Sequence, residues 1–189
     1  MPKLVLASSS PYRRALLDRL QHPFEWVSPD IDESPTQGEL PEHLVKRLSE
    51  AKAKVLAASH PNHLIIGSDQ VAVFEGGTLT KPGNYDAAFQ QLRSQSGSRI
   101  TFLTGVALLN SGTGYLDVDI VSTDVVFRQL SDEEIADYLT KEAPYDCAGS
   151  FKSEGLGITL FEGIFGNDPT ALVGLPLIRL SQMLRQNKL

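Results

Sequence analysis

Apolar residues in this chain fall into short continuous runs separated by stretches of helical spacing, a pattern that predicts strands interleaved with helices. Lys3 to Ala7 reads as a short buried strand. The polar Ser8-Ser9-Ser10 follows, and Ser10 before Pro11 is a helix-start signal, a capping residue ahead of proline at the first helical position. That helix is predicted to reach about Leu20, burying Leu16, Leu17 and Leu20. Residues 24–28 form a second predicted strand, and residues 29–41 an acidic, proline-bounded loop containing Asp30, Asp32 and Glu33. Between Pro41 and Ala58, the positions Leu44, Val45, Leu48, Ala51 and Val55 share a helical period.

The run from His63 to Phe74 is apolar except at its centre, where Gly67-Ser68-Asp69-Gln70 interrupts it. Gly76-Gly77 marks a turn, residues 78–81 a short return strand, and residues 85–95 a helix ending near Gly97. Two long strands, 99–109 and 115–127, flank a segment of turn formers and read as a hairpin. Ser131 and Glu134 have capping-box spacing and open a helix to about Lys141. Residues 147–157 are Gly/Ser-rich and irregular, 157–162 resemble a strand, and 176–186 a closing amphipathic helix. The predicted fold class is α/β with a mixed sheet, without internal repeats or a long linker.

Composition narrows the function more than the fold. A chain of 189 residues fits a single domain, or one domain with two lobes around a cleft. Hydrophobic residues at 41% and charged residues at 21% support a core without disulfides or structural metal. Cys147 is the one cysteine, which excludes an internal disulfide and a Cys-based cluster and fits a reducing cytoplasm. No apolar run approaches the ~20 residues of a membrane span, and the first residues do not read as a signal peptide. A cytoplasmic location and no membrane partner are therefore expected. The net charge of −6 argues against a nucleic acid polymer as partner, while a few local cations can still hold a small phosphate ligand.

Several segments carry candidate chemistry. In residues 8–14 a strand passes through three serines into a helix bearing Arg13 and Arg14, either a phosphate site of free N–H groups, hydroxyls and a guanidinium or a capped surface helix. Asp69 lies inside an apolar run, where an unpaired carboxylate costs several kcal/mol (roughly), so it is paired, coordinating or catalytic unless Gly67 and Ser68 turn the chain there. Lys52 falls within the apolar stripe of its helix, and either snorkels from its edge or points into a cleft. Lys81 precedes Pro82 and is held extended. Glu33 is a solvated loop residue or a hard oxygen ligand that joins Asp69 on Mg²⁺ or Mn²⁺. The four histidines lack zinc-hydrolase spacing, Ser9 lacks an esterase elbow, and glycine patterns for phosphate loops and dinucleotides are absent.

Taken together, LASSSPYRR at 6–14, the D-x-D-E loop ending at Glu33, A-K-A-K around Lys52, GSDQV around Asp69 and Lys81-Pro82 resemble the Maf family of nucleotide pyrophosphatases. SGSRITFLTGVAL from Ser96, GSFKSEG from Gly149 and VGLPL at 173–177 extend the resemblance essentially end to end. It implies an α/β fold with a mixed, twisted sheet and two lobes around a deep cleft. It also implies hydrolysis of a nucleoside triphosphate to monophosphate and diphosphate with a divalent metal, Mg²⁺ or Mn²⁺, and a possible homodimer. Under the resemblance Asp69 is either the proton acceptor or, with Glu33, a ligand of the metal, two roles the sequence does not separate, while Ser8, Ser10, Arg13, Lys52 and Lys81 contact phosphate.

Within that family, Gln70 after Asp69 and Glu154 in KSEG resemble the branch acting on 7-methyl-GTP, with Tyr12, Gln70 and Glu154 setting the base. The dTTP and UTP branch, the alternative enzyme reading, typically has arginine in place of Tyr12 and glutamine in place of Glu154. N7-methylation gives guanine a positive charge, which an aromatic face attracts by roughly 0.5–2 kcal/mol. Glu154 can accept from the N–H donors of guanine. Tyr12 stands where the branch usually has tryptophan, so its stacking area and cation–π attraction are smaller. A nucleotide-binding regulator of septum formation is the non-enzymatic alternative, and turnover separates the two.

Overall fold

The computed structural model describes residues 2–188. It is a mixed α/β structure with a seven-stranded sheet in the order β2-β1-β3-β5-β6-β7, β4 pairing with β3. The strands are β1 (Lys3–Ala7), β2 (Phe24–Val27), β3 (His63–Phe74), β4 (Gly77–Leu79), β5 (Arg99–Asn110), β6 (Leu116–Phe127) and β7 (Phe161–Gly166). Five α-helices accompany them: α1 (Pro11–Asp18), α2 (Pro41–Val55), α3 (Tyr85–Gln95), α4 (Asp132–Glu142) and α5 (Leu177–Gln186). β1 runs parallel to β2 and β3, whereas β4 and β7 pair antiparallel with β3 and β6. Among the described residues no helix is long and apolar enough to cross a membrane.

The chain divides into two compact units, with β3, β5 and β6 running from one into the other. The first holds residues 1–70, 103–121 and 168–189. Its strands obey period two, which separates two cores on opposite faces of the sheet. Leu4, Leu6, Leu64, Ile66, Val106 and Leu108 face α1 and α5, where Leu16, Leu17, Leu180 and Met183 complete one core. Val5, Ala7, Ile65 and Ala107 face α2 and bury Ala53 and Leu56.

The second unit holds residues 71–102 and 122–167. Its core includes a chain of edge-to-face rings, Phe102 on Phe151, Phe151 on Phe127 and Phe161, at centroid separations of 4.8–5.6 Å. α4 opens with the predicted capping box, Ser131 Oγ accepting from Glu134 N–H and the Glu134 carboxylate accepting from Ser131 N–H.

Three sequence expectations need correction. Residues 157–160 are not strand: they lie in a 3-10 turn, Leu156–Leu160, and the strand begins only at Phe161, as β7. Within that turn Gly157 lies so close to the Lys152 backbone that a Cβ would sit 2.4 Å from its carbonyl oxygen. The return strand after Gly76 is Gly77–Leu79 instead of 78–81, since Glu75 and Gly76, both at positive φ, make the turn. Val55 is 44% exposed, because α2 seats Ser49, Lys52 and Ala53 against the sheet and turns position 55 outward.

The start of α5 depends on a residue the sequence reading passed over. Pro176 caps this helix without a side-chain bond, and Asp168 and Thr170 act in its place. Asp168, 3% exposed, accepts from Thr170 N–H (2.9 Å), Thr170 Oγ–H (2.6 Å) and Ile178 N–H (2.7 Å), while Thr170 Oγ1 accepts from Leu177 N–H (2.9 Å). Asp168→Ala removes all three acceptor contacts and is expected to cost about 2–3 kcal/mol in urea unfolding.

Candidate functional site

A cluster of charges forms in the first unit where α2 lies against β3. The approach is set by two glycines. At Gly67 a Cβ would stand 2.0 Å from Ser49 O and 2.8 Å from Ala53 N, and at Gly105 it would stand 2.3 Å from Ser49 Oγ. With no side chains there, the helix backbone sits directly on the sheet. Ser49, fully buried, uses that closeness: its Oγ accepts from Asp69 N–H (3.0 Å) and donates to Val45 O (2.8 Å). The carboxylate-bearing strand and the lysine-bearing helix are thereby tied at one point.

Lys52 and Asp69 meet immediately beyond it. β3 is continuous through residues 67–70, so Asp69 is a strand residue and not part of a turn. By the alternation of the strand it shares the α2-facing side with Ile65 and Gly67. Lys52 Nζ donates to Asp69 Oδ1 at 2.7 Å and pairs with Glu33 Oε1 at 2.9 Å. The Lys52 and Asp69 side chains are 6% and 9% exposed, that of Glu33 56%. A buried lysine on the stripe of α2 is thus a charge held inside, not a snorkelling one.

The loop carrying Glu33 is fixed from α2 as well. Arg47 makes a bidentate pair with Glu39 (2.7 Å to each oxygen) and donates to Ser34 O at 3.0 Å. Asp32 Oδ1 accepts from Ser34 N–H at 2.9 Å, and the Ser34 hydrogen bonds hold its carboxyl below the ordinary value. Asp32 therefore shapes the turn that presents Glu33.

On the other face of the sheet, Ser68 and Gln70 hold the segment before α5. Ser68 Oγ lies 2.7 Å from Gly105 O and 2.9 Å from Gly174 O. Gln70 Nε2 donates toward Thr104 Oγ1 (2.9 Å) and the carbonyls of Ala171 and Leu172 (3.0 Å each). Its amino end is engaged by the protein, which fixes the orientation of the amide.

Around the start of α1, Ser8 Oγ accepts from Ser10 N–H (3.1 Å) and Ser10 Oγ caps the helix by accepting from Arg13 N–H (3.3 Å). Each hydroxyl keeps its proton to donate. Arg13 Nε donates to Gly174 O at 2.7 Å, which anchors one edge of the guanidinium. Burial pushes Arg13 below its ordinary value, opposed by the charges of Asp69 and Glu33. Arg13 therefore belongs electrostatically to the same cluster. Tyr12, half-buried, stands between the Ser10 cap and Arg13.

Lys81 and Glu154 lie on the second unit, both exposed, Glu154 Oε2 accepting from Ser153 Oγ at 3.3 Å. Sequence reasoning missed Ser49, Arg47 and Asp168. The isolated glycines 67 and 105 inside apolar strands were the available signal for the close helix approach.

Among the described residues no three His, Cys, Asp or Glu side chains converge as a metal-ligand set. Glu33 and Asp69 do converge, on the ammonium of Lys52, which stands in as a cation between them. Two hard carboxylates suit Mg²⁺, which takes one or two carboxylates and completes its shell with phosphate and water.

Residues 3–187 match the family described as Maf-like protein. A 7-methyl-GTP pyrophosphatase of Pseudomonas syringae pv. tomato is 58% identical over 97% of this chain and 96% of its own length. A 7-methyl-GTP pyrophosphatase of Pseudomonas aeruginosa matches at the same identity and coverage. Among solved structures, the Ham1 protein of Staphylococcus aureus is 18% identical with a TM-score of 0.45, covering 66% of this chain and 71% of that one.

Proposed function

The chain belongs to the Maf family, and we propose that it hydrolyses 7-methyl-GTP to 7-methyl-GMP and diphosphate with Mg²⁺ or Mn²⁺ held by Glu33 and Asp69. The observation that carries this is the buried Lys52–Asp69 pair with Glu33 beside it, a charged cluster placed inside the fold where stability alone gives little reason for it. The 58% identity to two proteins named for this activity supports the choice of substrate.

In this reading a water attacks the α-phosphorus, the bond from that phosphorus to the α–β bridging oxygen breaks, and diphosphate leaves. Asp69 takes the proton of the attacking water, its position fixed by the strand and by Ser49. Ser8 and Ser10 donate hydroxyl protons to phosphate oxygens, and Arg13, Lys52 and Lys81 offset their charge. A divalent cation, when bound, supplies further positive charge against those oxygens. Tyr12 stacks on the cationic methylated base, Glu154 accepts from its N–H donors, and the Gln70 amide, oriented by Thr104, completes selection. The reading places the enzyme in the cytoplasm, beside the nucleotide pool, with the triphosphate as its partner and no membrane or nucleic acid polymer required; homodimer formation belongs to the same reading.

The test is diphosphate release from 7-methyl-GTP, GTP, dTTP, UTP and CTP with Mg²⁺ or Mn²⁺. The expected order puts 7-methyl-GTP first. A pyrimidine triphosphate in first place would reject the base assignment, and no turnover of any of them would reject the enzymatic one.

A further inference from the structure

We infer that Lys52 is a resident counter-cation that occupies the place between Glu33 and Asp69 and competes with a divalent metal for it until substrate phosphate takes the ammonium over. This rests on the reading that those two carboxylates are the metal's ligands. Three observations carry it. The ammonium sits 2.7 Å from Asp69 Oδ1 and 2.9 Å from Glu33 Oε1, bridging the oxygens a metal would need. Lys52 has three donors and no acceptor, and with its side chain 6% exposed, it draws its compensation from these carboxylates more than from water. Cationic charge is already at hand: Lys52 bridges the two carboxylates, and Arg13, held by Gly174 O, acts on both.

A divalent cation added here meets the charges of Lys52 and Arg13 in a partly buried place, which opposes its entry. A triphosphate chain arriving with the metal removes that penalty, because its oxygens supply the missing negative charge and a new partner for the Lys52 ammonium. The flexible stem of lysine suits such a transfer. Glu33, the exposed member of the cluster, is the side from which the exchange starts. Metal and nucleotide then bind with positive coupling, each raising the affinity of the other by the same factor. Lys52 serves two consecutive partners, carboxylates first and phosphate second.

Isothermal titration of Mn²⁺ into the whole protein without nucleotide tests this. Lys52→Met, which keeps most of the stem and removes the charge, is expected to bind Mn²⁺ about tenfold more tightly than wild type, or better. A non-hydrolysable triphosphate analogue is expected to raise Mn²⁺ affinity in wild type by a similar factor and to have far less effect in the variant. Lys52→Gln, neutral but still a donor, serves the same comparison where the methionine variant does not fold, and the analogue effect in wild type stands without either. Equal Mn²⁺ affinity in wild type and variant, with Asp69→Asn abolishing both, overturns the displacement and leaves the ligands as assigned. Binding that survives both Glu33→Gln and Asp69→Asn rejects the ligand assignment, and the inference with it.

Discussion

Asp69→Asn is expected to lower kcat for 7-methyl-GTP by about 10³-fold while the protein stays folded. Asparagine has the shape of aspartate and retains an oxygen to accept from Lys52 at the Oδ1 position, 2.7 Å away. The Lys52 ammonium also keeps Glu33 at 2.9 Å, so it is not left buried without a charge partner. The backbone bond from residue 69 to Ser49 Oγ is untouched by the change. What disappears is a base for the attacking water and one negative charge toward the metal. Loss of the base lowers kcat, and the weaker hold on the metal, coupled to nucleotide binding, raises KM, so kcat/KM falls further than kcat. Far-UV circular dichroism and the thermal midpoint check the fold. A variant that folds and retains more than about a tenth of wild-type kcat sinks the proposed role of Asp69.

How far this site can be read from the chain depends on which interactions are local. The helix start at Ser10, the capping box at Ser131 and Glu134, and the helix at Tyr85–Gln95 follow from neighbouring residues and appear as expected. Asp69 is legible for another reason: a carboxylate inside an apolar run must be compensated, whatever compensates it. The identity of its partner is not legible in the same way. Lys52 precedes it by 17 residues, and the pairing depends on α2 resting on β3 at Gly67 and on β5 at Gly105. Helical period alone put Val55 on the buried face with Leu48. The seat made by Gly67 and Gly105 rotates the contact toward Ser49 and Ala53 and exposes it. The bond from Ser68 to Gly174 spans 106 residues and leaves no local trace. Asp168, in a short NDPT segment, reads as a turn aspartate until its bond to Ile178 of α5 is seen.

The two glycines yield the second large effect. Gly67→Ala is expected to destabilise the protein by about 3 kcal/mol, the upper part of the range for overpacking. The added Cβ would lie 2.0 Å from Ser49 O and 2.8 Å from Ala53 N. Both are backbone atoms of α2, so no rotamer change relieves the contact, and the helix as a whole must lift or slide. That movement acts on the site directly. Lys52 is one residue from Ala53 and reaches Asp69 Oδ1 at hydrogen-bond distance, and Ser49 holds the Asp69 N–H at 3.0 Å. Loss of activity is therefore expected to exceed what the unfolded fraction explains, with kcat reduced even where denaturation shows the variant fully folded. Gly77→Ala is the control, since a Cβ there meets nothing closer than Phe74 O at 3.7 Å. Urea unfolding of both variants beside wild type decides the matter. If Gly67→Ala unfolds at the same urea concentration as Gly77→Ala and turns over 7-methyl-GTP as fast, α2 does not rest on β3 as described, and the Lys52–Asp69 contact loses its structural basis.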